Sequence, residues 1–375
     1  MKNIFKTFLL IIFTIVLLVG ILVVGYAVYV SFTSEDNILE VSITNTTASI
    51  EDTSETEKIR KNKDIGSVIS DIFTIDNSAE KIEYSSKASD GKFYYEQLSE
   101  NQKIIYNGLQ EHKNNMISGT YVIQYGDLFS NILKEEDGTK KLQADYQAAV
   151  EAYTHDNPDL FYLDISKLYL NIETTKKMWN TKYNVYVGPE TSKNYYNSEF
   201  LNEAEVRAAI NQIENVKNSV LNKLSSDTYK NVKYIHDFLI NNIEYDQTYN
   251  AKGTYTIYGA LVGRTCVCDG YARAFKYLTN AAGIECELIQ GTATNTNGAS
   301  ENHAWNAAKL NNRWYYLDVT WDDPVIVGKG YVPNSYYYRY FLKGSGTLKK
   351  DHVTNGQFST EGKTFTYPTV SVTDY

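Results

Sequence analysis

Residues 303–319 constrain this chain more than any other stretch. His303 to Leu310 reads as one strand, Arg313 to Val319 as the next, and only Asn311-Asn312 lies between them. Two runs rich in apolar and aromatic residues around such a loop predict a tight antiparallel hairpin. With a two-residue loop Leu310 faces Arg313. Counting outward, His303 faces Thr320 and Trp305 faces Asp318. Residues two apart on a strand share a face, so His303 and Asp318 become diagonal neighbours, about 7–8 Å apart by backbone. A histidine and an aspartate side chain bridge that gap; a loop of odd length would separate them.

A nucleophile stands upstream. Gly263-Arg264-Thr265-Cys266-Val267-Cys268-Asp269-Gly270-Tyr271-Ala272 leads into a helical stripe of Tyr271, Phe275, Leu278 and Ala282, with Gly283 placed to stop it. Cys268 falls at the helix start, where unpaired N–H groups and the positive dipole end favour a thiolate. Taken alone, such a cysteine is more often a small buried residue, and a lone strand histidine is more often structural. Together, in this order and register, they point to Cys268 as nucleophile, His303 as general base and then acid, and Asp318 as the group that orients the imidazole.

The chain has three cysteines, Cys266, Cys268 and Cys286, an odd count that is no disulfide framework. Cys266 has three possible fates: a bond to Cys286, inertness, or competition as nucleophile. Helix placement favours Cys268. Tyr258 is a candidate to point into the cleft and help the backbone amide of Cys268 hold an oxyanion, with packing as the alternative. Trp305 and Trp321 are candidates to wall an acyl or amine channel, against the plainer role of core. Asp322-Asp323 is poor calcium-ligand geometry and reads as a turn; no metal or cofactor is expected.

At 375 residues, 43% of them hydrophobic, the chain is long enough for one or two compact units plus accessory segments. A formal net charge of −9 argues against nucleic acid as a partner, since phosphate binding needs basic patches. The 33 tyrosines suit core and strand packing with hydrogen-bonded phenol tips better than a surface for stacking on sugars or peptides, because they are spread over the chain.

Lys2 and Lys6 precede an uncharged apolar run, residues 8–30, long enough as a helix of about 35 Å to cross a bilayer. The expectation is a single-pass cell-membrane protein with residues 1–7 cytoplasmic and everything after Val30 outside. A cleaved signal peptide ending near Gly25-Tyr26-Ala27 is the alternative. Of the 32 residues from Thr33 to Asp64, 18 are Ser, Thr, Asp or Glu and none is aromatic, so residues 31–92 read as a flexible stalk. Residues 93–199 read as a small α/β accessory subdomain. Within it Ser99-Glu100-Asn101-Gln102 is a capping box opening a helix, Leu142 to Tyr153 is a second helix, and strands lie at Lys167–Ile172 and Tyr183–Val187. Residues 200–345 form the catalytic unit, beginning with helical stripes at Val206–Leu224 and Val232–Ile243. Residues 346–375 read as a β-rich end that adds no chemistry.

The runs "YGALVGRTCVCDGYARAF", "AAGIECELIQG" and "NHAWNAAKLNNRWYYLDVTWDDP" resemble the core of the bacterial transglutaminase-like superfamily, over about residues 228–345. The preceding "DNPDLFYLD" and "YYEQLSENQKIIY" are similar to the accessory region of its membrane-anchored members. The resemblance implies an α+β, papain-like core, with a cysteine-bearing helix packed on an antiparallel sheet that carries the histidine and the aspartate. It further implies catalysis through a thioester without a cofactor, and it assigns Cys268, His303 and Asp318 to the family's Cys, His and Asp blocks. The expected function is acyl transfer on protein or peptide substrates at the cell surface. The alternatives are a peptidase or deamidase that uses water, and a binding module that has lost catalysis.

Overall fold

The computed structural model describes residues 39–47, 55–61, 82–177, 180–324 and 332–375. It is a mixed helix-and-sheet structure. The first sheet has five strands in the order β2-β1-β4-β5-β3. These are β1 (Leu39–Thr47), β2 (Glu55–Lys61), β3 (Ile123–Gly126), β4 (Tyr169–Lys177) and β5 (Asn180–Gly188). Its helices are α1 (Glu100–Glu111) and α2 (Gly138–Asp156). At the start of α1, Gln102 Oε1 accepts from the Ser99 N–H at 3.0 Å, one half of the expected capping box.

Two strands lie where a stalk was expected. β1 pairs antiparallel with both β2 and β4. Composition misleads here because adding to a sheet edge uses backbone hydrogen bonds, and β-branched residues such as Val41, Ile43 and Thr44 suit it. The expected membrane-spanning run, residues 8–30, lies outside the described residues. Among the described residues no helix is long and apolar enough to cross a membrane. The single-pass membrane assignment with its cytoplasmic N-terminus is therefore corrected: the described residues offer no span to support it.

The second half begins with α3 (Glu203–Leu221) and α4 (Thr228–Asn242). Asn202 and Asp227 cap them by accepting from the backbone N–H of Glu205 and Lys230. Two short parallel strands, β6 (Glu244–Tyr245) and β7 (Thr265–Cys266), lead into α5 (Cys268–Ala281). This helix buries Tyr271, Ala272, Phe275 and Leu278 and stops before Gly283, whose φ is +74°. Burying a side chain such as Phe275 contributes roughly 1.5–3 kcal/mol.

α5 packs on an antiparallel sheet in the order β10-β9-β8-β11. Its strands are β8 (Cys286–Thr294), β9 (Ser300–Leu310), β10 (Arg313–Leu317) and β11 (His352–Val353). Asn306 of β9 donates to the carbonyls of Ala272 and Glu287, tying helix to sheet. Asn311 and Asn312 both have positive φ, +51° and +61°, as a type I′ turn requires. Leu310 pairs with Arg313 and Tyr315 with Ala308, the register expected from the loop length.

The C-terminal end belongs to this core. β11 pairs with β8, and Tyr367 donates to the Gln290 carbonyl at 3.0 Å. The hairpin of β12 (Gln357–Ser359) and β13 (Thr364–Thr366) brings Phe358 and Phe365 against Tyr94. Tyr94 in turn donates to the Leu288 carbonyl at 2.7 Å. Tyr125 and Tyr146, fully buried, do the same with the carbonyls of Ile105 and Leu168. These three tyrosines thus serve as core with satisfied phenols.

Candidate active site

Cys268 is the first residue of α5, half-buried against Ala272, Leu288 and Ala304. Negative charge is stabilised at that end of a helix. Cys266, two residues earlier, faces the interior with no exposed surface. A Cβ at Gly270 would lie 2.5 Å from the Cys266 Cβ, so only glycine lets the first turn of α5 close over it. Burial holds the Cys266 thiol well above its usual range, with the charge of Cys268 adding to the effect. Burial likewise pushes Cys286 up to about 12. All three cysteines are free.

His303 reaches α5 from β9. Its Nε2 lies 2.8 Å from Asp318 Oδ2, and the two side chains are buried. Burial alone would lower the ring's pKa. The charge and hydrogen bond of Asp318, with Cys268 adding to them, override this and push it up to about 10. Asp318 shows the reverse. Its burial opposes ionisation, but His303 and His352 hold it well below the usual carboxylate range. With Nε2 taken by Asp318, Nδ1 is the ring nitrogen left for Cys268. The structure thus joins His303 to Asp318 by a hydrogen bond and sets Cys268 close enough for its charge to act on the ring.

The other three candidates lie differently. Trp305 is 1% exposed and sits behind His303, ring centroids 6.0 Å apart, so it is floor and not the wall of an open channel. Trp321 flanks the same ring at 5.3 Å and is only partly buried. Tyr258 stacks on Phe161 and meets Phe200 edge-on, which spends its ring on packing against the accessory region.

Several functional-looking groups escape local sequence reading. His352 of β11 places Nε2 3.0 Å from the same Asp318 oxygen. Its only signal was an Asp-His pair in a segment without other chemistry. His236 of α4 is fully buried, 3.1 Å from Asp322 Oδ2. Asp322 lies in the expected turn but is buried there as the partner of His236, while Asp323 accepts from the Tyr271 hydroxyl at 2.5 Å. A histidine inside the apolar stripe of α4 was the available clue. His303, Asp318 and His352 offer two nitrogens and one oxygen within 4.8 Å of one another, donor types that suit zinc. In this arrangement both nitrogens are already hydrogen-bonded to that oxygen.

A pocket of about 450 Å³ opens nearby, between the accessory region and the core. Glu151, His155, Glu199, Thr256, Arg273 and Gln290 are among its lining residues. Arg273 is five residues beyond Cys268 on α5, about 7.5 Å along the axis. Gln290 adjoins Gly291, which pairs with His303.

Residues 214–319, which include Cys268, His303 and Asp318, match the family model described as the transglutaminase-like superfamily. The chain contains a transglutaminase-like domain. Its similarity to Kyphoscoliosis peptidase of Mus musculus is 27% identity over 168 residues, 40% of this chain and 24% of that protein. With Kyphoscoliosis peptidase of Homo sapiens it is 31% over 97 residues, 23% of this chain and 14% of that one. The chain therefore spans about a quarter or less of the length of these curated relatives. Among solved structures, a TGase aligns at 16% identity with a TM-score of 0.29, covering 46% of this chain and 48% of its own. The periplasmic domain of TgpA from Pseudomonas aeruginosa aligns at 15% with a TM-score of 0.24, covering 41% and 72%.

Proposed function

We propose that this protein carries out cysteine-dependent acyl transfer on protein or peptide amides through a thioester at Cys268. The observation that carries this reading is a cysteine at a helix start beside a buried histidine that is itself held by a buried aspartate. In the proposed cycle His303 takes the Sγ proton and the thiolate attacks the amide carbonyl. The backbone N–H groups at the start of α5 stabilise the oxyanion. His303 then returns the proton to the departing nitrogen, which leaves as ammonia or an amine, and the acyl group remains on sulfur.

Attack on the thioester by a primary amine gives a transglutaminase. Attack by water gives a peptidase or deamidase. The second reading gains support from the two relatives named as peptidases and from the burial of Trp305, which leaves it no role in screening a thioester from water. The test is incubation of the protein with a glutamine-containing protein and a labelled primary amine. Label incorporation that vanishes in Cys268→Ala supports transfer. Ammonia or new peptide termini without incorporation support hydrolysis. A Cys268 that no acylating probe modifies overturns both.

A further inference from the structure

We propose that His352 is a positioning residue for this site, one that shares the Asp318 carboxylate with His303 and so holds the aspartate in the orientation the imidazole needs. The proposal rests on the acyl-transfer reading for its kinetic consequence, but not for its geometry.

Asp318 is fully buried, and all its acceptor positions are in use. Oδ1 accepts from the backbone N–H groups of Thr320 and Trp321 at 3.0 and 3.2 Å. Oδ2 accepts from His303 Nε2 at 2.8 Å and from His352 Nε2 at 3.0 Å. Removing His352 leaves one lobe of a buried carboxylate under-satisfied, which frees it to rotate or draws in water.

His352 is itself held from its other side. Its Nδ1 lies 2.8 Å from Asp351 Oδ1, and Asp351 Oδ2 accepts from the Tyr340 hydroxyl at 3.0 Å. The polar groups facing the ring are thus Asp318, Asp351, His303 and Tyr340. Trp305 and Trp321 complete its surroundings, at centroid distances of 4.9 and 4.7 Å. A residue whose role was packing alone would not need a carboxylate on each ring nitrogen.

The fold makes room for this placement. His352 pairs with Ala293 on β8, so the edge strand lies along the other side of β8 from β9, beside the stretch of β8 that pairs with His303. The passage is close. A Cβ at Gly291 would lie 2.3 Å from the Val353 carbonyl oxygen and 2.8 Å from the Trp305 ring. Gly291 is the residue opposite His303, so the same position both pairs with the histidine and admits the strand that carries His352.

The experiment uses the full chain labelled with ¹⁵N at its five histidines. The parent should give strongly deshielded ring N–H resonances from the Asp318-bound nitrogens of His303 and His352, both lost in Asp318→Asn, while that of His236 on Asp322 persists. His352→Phe keeps a ring between the two tryptophans but removes both donors. His352→Gln keeps one donor near the Nε2 position. Both variants should lose the His352 signal and shift that of His303. Acylation of Cys268 by a thiol-reactive acyl probe should fall about tenfold in His352→Phe, the worth of one hydrogen bond, and recover most of the way in His352→Gln. An unmoved His303 resonance overturns the proposal, as does a Phe variant that reacts like the parent or a Gln variant no better than Phe. If the Phe variant fails to fold, the Gln spectrum decides. A parent Cys268 that resists acylation defeats the acyl-transfer reading, while the resonances still test the shared carboxylate.

Discussion

Cys266 and Cys268 are separated by one residue, yet Cys266 is sealed beneath the first turn of α5 while Cys268 opens it, half-buried and close to His303. The difference predicts their reactivity. Cys268→Ala should abolish labelling by an acyl probe, and Cys266→Ala should retain most of it. Equal loss in the two variants would assign the chemistry wrongly, and full labelling of Cys268→Ala would remove Cys268 from the mechanism. Peptide mapping of the labelled protein distinguishes the outcomes.

His303 and Asp318 should behave as one unit. A positioned general acid–base is worth about 10²–10⁴-fold in rate, so His303→Ala should cost at least that in the acylation step. Asp318→Asn should cost a similar amount or less, because it disturbs orientation and charge without removing the proton carrier. The double variant should be little worse than His303→Ala alone. Multiplying losses would mean that the two act independently.

The same pair makes stability depend on pH. The folded His303 ring titrates at about 10 against an ordinary value of 6.5. Its stabilisation is complete below the ordinary value and is lost as pH rises from there towards 10. Asp318 has the opposite dependence, with stabilisation present above the ordinary carboxylate range and lost in strong acid. Urea unfolding should therefore show a stability decline between pH 7 and 9.5, and Asp318→Asn should flatten it. An identical decline in the variant would show that other groups cause it.

Lys276 of α5 and Glu287 of β8 form a buried ion pair, and Lys276 also donates to the Cys286 carbonyl. Burial pushes the Glu287 carboxyl up to about 7, with Lys276 opposing. Breaking such a pair from one side costs roughly 3–5 kcal/mol, whereas replacing both partners with apolar groups is often neutral. Lys276→Met should thus destabilise strongly in chemical denaturation, and adding Glu287→Leu should recover most of the loss. A double variant as unstable as the single would show that the pair does more than satisfy itself.

The parts of this site visible in sequence are those governed by local rules. Asn311-Asn312 sets a two-residue turn, the turn sets the register, and the register brings His303 and Asp318 to one face. Tyr271, Phe275 and Leu278, with Gly283 after them, mark the helix that begins at Cys268. Both patterns repeat within a few residues, because strand alternation and helical rise are properties of the backbone itself. The strands at Leu39–Thr47 and Glu55–Lys61 were hidden by a composition that reads as solvated, since edge pairing needs backbone partners more than apolar area. His352 follows Asp318 by 34 residues and has no periodic relation to it. Only the pairing of β11 on β8, admitted by Gly291, brings its ring to the carboxylate. Tyr258 went to Phe161 and Phe200, and His236 to Asp322, for the same reason. The sequence alone determined which residues lie on one helix or one hairpin, because those relations are covalent and local. Tertiary structure decided which buried polar groups share a partner, because a carboxylate removed from water takes whichever donors the packed elements bring to it.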